Sequence, residues 1–464
     1  MSRTSLHLYS PRLSCLRRSK CSALPWIWPI SPLNYSDVDR IGLTLDRYLL
    51  TNCGTAGYAT VVDPGKCCPP PARWWDDNGL VALGLLQASA QLGGSSGPGY
   101  TYLTKVQSLW PFIRAGQYPS SGSQWPGGGQ RENEVDPRSP KSRFDVISTG
   151  ATGAGDESME LLYLAANASD PLHNEYMNFV LANDTAIKEN VRVPVGKRGA
   201  RLYQDGYCPD KPCFEPTGNT EHQCTPILPQ NQGFMIASDV LLYQITGDWN
   251  KYIVSAQQTA DASLSHYNTP CTLWSELPIW VADYFTGLFQ LRQYYPDLKP
   301  TILCSLEAYL DYAEKNGLDP TGTGLFNQNG IGGPLNDPLH AINQAAFVIM
   351  YSLLATATQT DDCSSVSKAW SALITAYTAR DRSTYAAALQ CLRTDIPINK
   401  TKEVSNGVSI GHFCSGGNNS ITGPFPTGTA IDCANLPTLQ KGNLRSGVVA
   451  YSDNFATCTG SCGP

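Results

Sequence analysis

Two acids stand side by side at Asp76–Asp77, in the run Trp74-Trp75-Asp76-Asp77-Asn78-Gly79-Leu80-Val81-Ala82-Leu83-Gly84-Leu85-Leu86. The segment after them is apolar almost all round, which puts the pair at the start of a buried helix. One account is structural: Asp76 caps the helix and Asp77 meets the positive end of its dipole. The other is chemical. Breaking a glycosidic bond takes one carboxylate and one carboxylic acid, about 5–5.5 Å apart when configuration is retained and about 6.5–9.5 Å when it is inverted. Neighbours at a helix start suit the shorter gap. Like charges that close do not ionise together, so one pKa rises, the other stays low, and the two titrate as a pair.

Other candidates carry less. Asp156-Glu157, after Gly150-Ala151-Thr152-Gly153-Ala154-Gly155, reads as an N-cap with an acid in the first turn, and Asp361-Asp362 reads the same way. The glycine run is no nucleotide loop, because no Gly-Lys-Ser/Thr follows it. Asn231 and Gln232 open an otherwise buried helix with polar groups, which suits binding of hydroxyls. Trp125, Trp274 and Trp280 are either sugar platforms or packing residues. Cys208, Cys213, His222 and Cys224 fall close together but match no standard zinc spacing, so neither metal nor cofactor is expected. G-x-S-x-G, H-E-x-x-H and EF-hand patterns are absent.

The elements that must position these groups are helical. Amphipathic periodicity predicts helices near 38–51, 77–93, 99–114, 154–167, 171–190, 232–246, 249–267, 279–296, 299–315, 340–358 and 365–379, with strand-like alternation scarce. They come in pairs. Thr246-Gly247-Asp248 joins two of them as a C-terminal glycine followed by a capping acid. Repeated hairpins of this size predict an all-α toroid whose inner helices line a cleft. Eleven helices fall one short of six hairpins, so a first helix or hairpin is expected to be missing before Asp37. The expected organisation is an unstructured or misannotated segment over 1–36, a helical catalytic domain over 37–393 and a Cys- and Gly-rich appendage over 394–464.

Bulk properties narrow the setting. A net charge of -6 over 464 residues argues against nucleic acid and anionic membranes as partners. The sixteen cysteines and the N-x-[ST] sequons at Asn34, Asn167, Asn183, Asn399 and Asn418 predict disulfides, glycosylation and secretion to the exterior or a cell wall. Residues 1–36 nevertheless contain no apolar run long enough for a signal peptide.

Four stretches, in order, resemble glycoside hydrolase family 76, the endo-α-1,6-mannanases. Asp76-Asp77 before its Ala/Leu-rich helix is similar to the family's Asp-Asp motif. Trp125-Pro126-Gly127-Gly128 through Val146-Ile147-Ser148-Thr149 resembles its Gly-Gly loop and following inner helix. Asn231-Gln232-Gly233 resembles its Asn-Gln-Gly motif, and Tyr284-Phe285-Thr286-Gly287 its Phe-Lys-Gly segment. The likeness spans roughly residues 38–358. It departs at Leu80 and Val81, where the family has a tryptophan pair, and at Thr286, where it has lysine. The resemblance implies an (α/α)6 six-hairpin fold, a polysaccharide substrate and a monomer. It implies Asp76 as nucleophile, Asp77 as general acid/base, and a cleft lined by Asn231, Gln232, Trp125, Ser148, Thr149 and Phe285. A wall-remodelling mannan transglycosidase, or a mannan-binding protein without catalysis, fits the same residues.

Overall fold

The computed structural model describes residues 42, 45–51, 54–59, 73–119, 127–132, 147–197, 199–207, 223–224, 226–268, 270–318, 325–326 and 341–358. Trp125, the predicted 365–379 helix and both flanking segments lie outside them. Ten helices are described: α1 Trp75–Gln91, α2 Tyr100–Ala115, α3 Thr149–Ala165, α4 His173–Asn190, α5 Pro229–Thr246, α6 Val254–His266, α7 Pro270–Trp274, α8 Pro278–Leu291, α9 Lys299–Asn316 and α10 Ala341–Thr358. A π turn, Trp249–Ile253, leads into α6. Among the described residues no helix is long and apolar enough to cross a membrane.

The helices form two layers. α1 packs on α3, α3 on α5, α5 on α8 and α8 on α10, giving a run of inner helices. α2, α4 and α6 lie outside, each against the inner helix that precedes it in the chain, and α9 packs on α7, α10 and α8. Burial follows the layer. Thirteen of the eighteen residues of α5 are buried, against seven of eighteen in the outer α4. The all-round apolar character of inner-helix sequences therefore reflects contact on every side.

Glycines set how closely the inner helices approach. A Cβ on Gly79 of α1 would lie 2.8 Å from the backbone of Ala154 on α3. Gly233 of α5 and Gly287 of α8 face each other so closely that a Cβ on either would collide with the other helix's backbone. The glycines of the Asn-Gln-Gly and Tyr-Phe-Thr-Gly stretches thus form one helix crossing.

Helix ends follow local rules. Gly247 adopts φ 77° at the end of α5, and the Asp248 carboxylate accepts the Lys251 N–H at 3.0 Å, as the sequence predicts for this hairpin. Proline occupies the first turn of α5, α8 and α9.

Three expectations change. The 38–51 helix ends by Asp46: Leu49–Leu50 is β1, antiparallel to β2, Gly57–Tyr58. β3 Gln130–Arg131, β4 Ile147–Ser148, β5 Gly206–Tyr207 and β6 Gln223–Cys224 form an antiparallel sheet in that order, with strands too short to leave an alternating pattern. Helix α3 starts at Thr149 rather than 154, and its cap is Ser148, whose Oγ accepts the Ala151 N–H at 3.3 Å. Asp156 and Glu157 are therefore interior residues, not a cap and a first turn.

Candidate active site

The acid pair occupies the first turn of α1. Neither carboxylate caps the helix: the N-cap is Trp74, without a side-chain bond. The turn is held from three directions. The Trp75 indole stacks on Phe112, with centroids 5.5 Å apart, and its Nε1–H donates to the Phe112 carbonyl at 2.8 Å. The Trp75 N–H donates to the Glu132 carbonyl at 3.0 Å. Asn78 accepts the Tyr58 N–H at 2.7 Å and donates back to the Tyr58 carbonyl at 3.0 Å, tying β2 to the helix start. Trp75 is thus a buried anchor for the turn that carries the two carboxyls.

Asp76 is half-buried and Asp77 exposed. The Asp77 N–H donates to Asp76 Oδ1 at 2.8 Å. Burial first, then the charges of Asp77 and Glu132, push the Asp76 pKa up to about 8, against the lowering effect of backbone donors. Asp77 reaches the surface, yet it is walled closely enough that burial raises its pKa as well. With Asp76 raised to about 8, the pair holds a proton near neutral pH.

A second polar group lies at the starts of α3, α5 and α8. The Asp205 carbonyl accepts the Thr149 N–H at 2.9 Å, and its carboxylate accepts the Asn231 Nδ2–H at 3.0 Å. Glu276, just before α8, is buried, and burial followed by the charge of Asp205 raises its pKa to about 8. Among the described residues no cation contributes to the shifts of Asp76, Asp205 or Glu276. Glu132, Asp205 and Glu276 left no sequence signal, because each acts from a loop that only the fold brings to the inner-helix starts.

The expected cleft residues divide. Ser148 and Asn231 sit at the starts of α3 and α5, Asn231 with its Oδ1 unpartnered. Gln232 accepts the Tyr203 N–H at 2.9 Å and donates to the carbonyls of Tyr203 at 2.7 Å and Leu228 at 3.0 Å. Its amide is committed to the backbone. Thr149 is fully buried, its Oγ1–H donating to the Gln204 carbonyl. Phe285 lies in the core beside Tyr284 and Tyr309. These three side chains are taken up by backbone hydrogen bonds or core packing. Trp274 is likewise a core residue, while Trp280 is half-buried. Among the described residues no cluster of His, Cys, Asp or Glu suits a metal.

The secretion signals also divide. The Asn167 sequon is exposed, but Asn183 is fully buried: it donates to Asp156 at 2.7 Å and accepts from Gln117 at 2.7 Å and the Gly129 N–H at 2.8 Å. A glycan cannot be attached there in the folded protein. Cys304 on α9 is a free thiol, so not every cysteine is bridged.

The described residues form an all-α fold of paired inner and outer helices. No family model and no curated protein sequence matches the chain. Among solved structures it is similar to a glycoside hydrolase family 76 mannosidase, Bt3792 from Bacteroides thetaiotaomicron, at 18% identity and TM-score 0.50, over 72% of this chain and 86% of that one. It is also similar to a D-mannose isomerase at 12% identity and TM-score 0.52, over 77% and 96%. Likeness at these identities shows the fold.

Proposed function

We propose that the chain is a secreted, retaining glycoside hydrolase that cleaves α-1,6-mannan internally, by double displacement at Asp76 and Asp77. The observation that carries this reading is the adjacent carboxyl pair in the first turn of an inner helix, with Asp76 raised to about 8. One shared proton supplies the acid, and the remaining carboxylate supplies the nucleophile. In the first step a carboxylate oxygen bonds to the anomeric carbon while the other carboxyl protonates the departing glycosidic oxygen. In the second step water gives its proton to that same group and displaces the enzyme carboxylate.

The family resemblance assigns the attack to Asp76 and the proton transfers to Asp77. Burial alone orders their proton affinities the other way, so this assignment requires the shared proton to sit on Asp77 in the substrate complex. Trapping with a fluorinated mannosyl donor and peptide mass spectrometry reads the attacking residue directly; a label on Asp77 reverses the roles.

Among the described residues no cation acts on Asp76, Asp205 or Glu276 to pair with a uronate, which supports a neutral glycan as substrate. Product release from linear α-1,6-mannan, alongside Asp76→Asn and Asp77→Asn, tests the whole reading. Oligosaccharides from the parent and none from either variant support it, and activity surviving both substitutions overturns the site. Transfer to an added acceptor without hydrolysis moves the assignment to a wall transglycosidase; binding without either activity moves it to a mannan-binding protein.

A further inference from the structure

Four inner helices run in one direction and in register. The fifth residue of each meets the sixth of the next: Gly79 of α1 lies against Ala154 of α3, Gly153 of α3 against Phe234 of α5, and Gly233 of α5 against Asp283 of α8. Their starts, with the acid pair, therefore share one end of the helix array, and their C-terminal ends share the other. Asp76 is the second residue of its inner helix and Tyr243 the fifteenth of its own. At 1.5 Å per residue these two levels differ by about 20 Å.

At that far end four aromatic rings come together. Tyr243 lies in the last turn of α5, Trp249 opens the π turn, and Tyr294 and Tyr295 follow α8. The Trp249 indole stands edge-on to Tyr243 at 5.5 Å and to Tyr294 at 6.1 Å, with Tyr295 tilted beside it at 5.8 Å. Tyr243 and Tyr294 also meet edge to face, at 5.2 Å. Three tyrosines thus brace one indole, which is still 37% exposed. Anchoring the turn does not require it. Asp248 caps the turn by accepting the Lys251 N–H, and Tyr252 and Ile253 bury themselves in the core. The π turn itself is a rare element that recurs at functional sites.

Size and charge indicate what such a ring receives. An indole at this exposure leaves on the order of 90 Å² in water, whereas a stable protein partner takes about 800 Å². One pyranose, whose ring C–H groups form a flat apolar face, matches the smaller area. The exposed charges flanking the rings in sequence cancel, Asp248 and Asp297 against Lys251 and Lys299, so neither an anion nor a cation is favoured. Asn250 and Gln293, exposed next to Trp249 and Tyr294 in the chain, are neutral hydrogen-bonding groups of the kind hydroxyls use.

We infer that Trp249, braced by Tyr243, Tyr294 and Tyr295, is a stacking platform for a sugar unit of a neutral polysaccharide, at the end of the molecule opposite the acid pair. The platform holds the polymer and takes no part in cleaving it. An oligosaccharide of a few units occupies the platform or the acid pair but does not join them, so the platform acts on long chains alone. That the polymer is mannan rests on the proposed function; the platform itself does not.

The test uses Trp249→Leu, which keeps apolar bulk but loses the flat ring, and Trp249→Tyr, which keeps a ring. Retention in affinity gels containing linear α-1,6-mannan is measured in an Asp76→Asn background, with a thermal melt of each protein. Trp249→Leu is expected to weaken retention about fivefold or more and Trp249→Tyr less than about twofold. With the acid pair intact, Trp249→Leu should lower kcat/KM on the polymer while leaving it within about twofold on α-1,6-mannotetraose. Should Trp249→Leu melt far below the parent, Tyr295→Leu, which removes a half-buried ring of the same group, is read in its place. Parent-like retention in the variant overturns the platform and leaves the mannanase reading intact. If the parent hydrolyses no mannan, the gels carry neutral glucan, galactan or xylan instead. Retention that depends on Trp249 then sustains the platform and removes the mannanase, and a parent retained by none of them overturns the platform. Self-association in sedimentation that Trp249→Leu abolishes would assign the ring to a second copy of the chain and likewise overturn it.

Discussion

Two acidic stretches of the inner ring use the same residue types to opposite ends. At the start of α1, Asp76 is half-buried and Asp77 exposed, and among the described residues Asp77, Glu132 and backbone donors act on Asp76. Within α3, Asp156, Glu157 and Glu160 are buried, and each accepts a bond from a different helix: Asn183 of α4 at 2.7 Å, Gln290 of α8 at 3.1 Å and Ser238 of α5 at 2.7 Å. The α3 acids tie helices together, while under the proposed function the α1 acids are left for a ligand. Burial raises the proton affinity of both groups, so a raised pKa does not distinguish a catalytic carboxyl from a structural one. What distinguishes them among the described residues is that each α3 acid accepts a bond from a side chain of another helix, whereas Asp76 accepts one from the backbone of Asp77.

The sharpest break in this comparison comes from the pair itself. Asp76→Asn and Asp77→Asn should each lower mannan hydrolysis by about 10²–10⁴-fold while leaving the melting temperature near the parent value. In the parent, activity should fall on the alkaline side with an apparent pKa near 8, as the shared proton leaves. A flat profile through pH 9 would place the catalytic proton elsewhere.

Around α3 the effect should be on stability. Lys188 contacts Asp184 and Asp239 at 2.6 Å each, all three largely buried. Lys188→Met leaves two buried carboxylates unpaired and should cost about 3–5 kcal/mol in denaturant unfolding, with activity per folded molecule retained. Equal loss of both would merge the two regions.

Burial raises Glu157 from 4.5 to about 7, so between those values the folded protein holds a proton that the unfolded chain has released. Stability must then fall as pH rises through that window, by at most about 3 kcal/mol from this group. Glu157→Gln should flatten that part of the stability profile. An unchanged slope assigns the pH dependence to other groups.

The smallest effect is expected at the helix crossing. Gly233→Ala forces α5 from α8 and should destabilise by about 1–3 kcal/mol, read as a lower midpoint in urea. A neutral outcome would mean the crossing relaxes without cost.

Much of this architecture is legible along the chain. The 3.6-residue periodicity marks the long helices, because each needs an apolar stripe whatever it packs against. The α5–α6 turn is legible to the residue, since Gly247 and Asp248 act on their own backbone. The acid pair is legible because it opens a helix too apolar to be exposed. The start of α3 is not: Gly150, Gly153 and Gly155 read as a loop by propensity, whereas close packing against Phe234 of α5 and Gln130 of β3 gives Gly153 and Gly155 a place inside a helix. That shift carries Asp156 and Glu157 from a helix cap into the core. The sequence by itself determined the helices, their pairing and the adjacent carboxyls, all of which follow from local periodicity and neighbour chemistry. Only the tertiary structure decided which polar groups meet. Asp205 reaches Asn231 and Glu157 reaches Gln290 across 26 and 133 residues of chain, and no local rule encodes a contact made by helices brought together through packing.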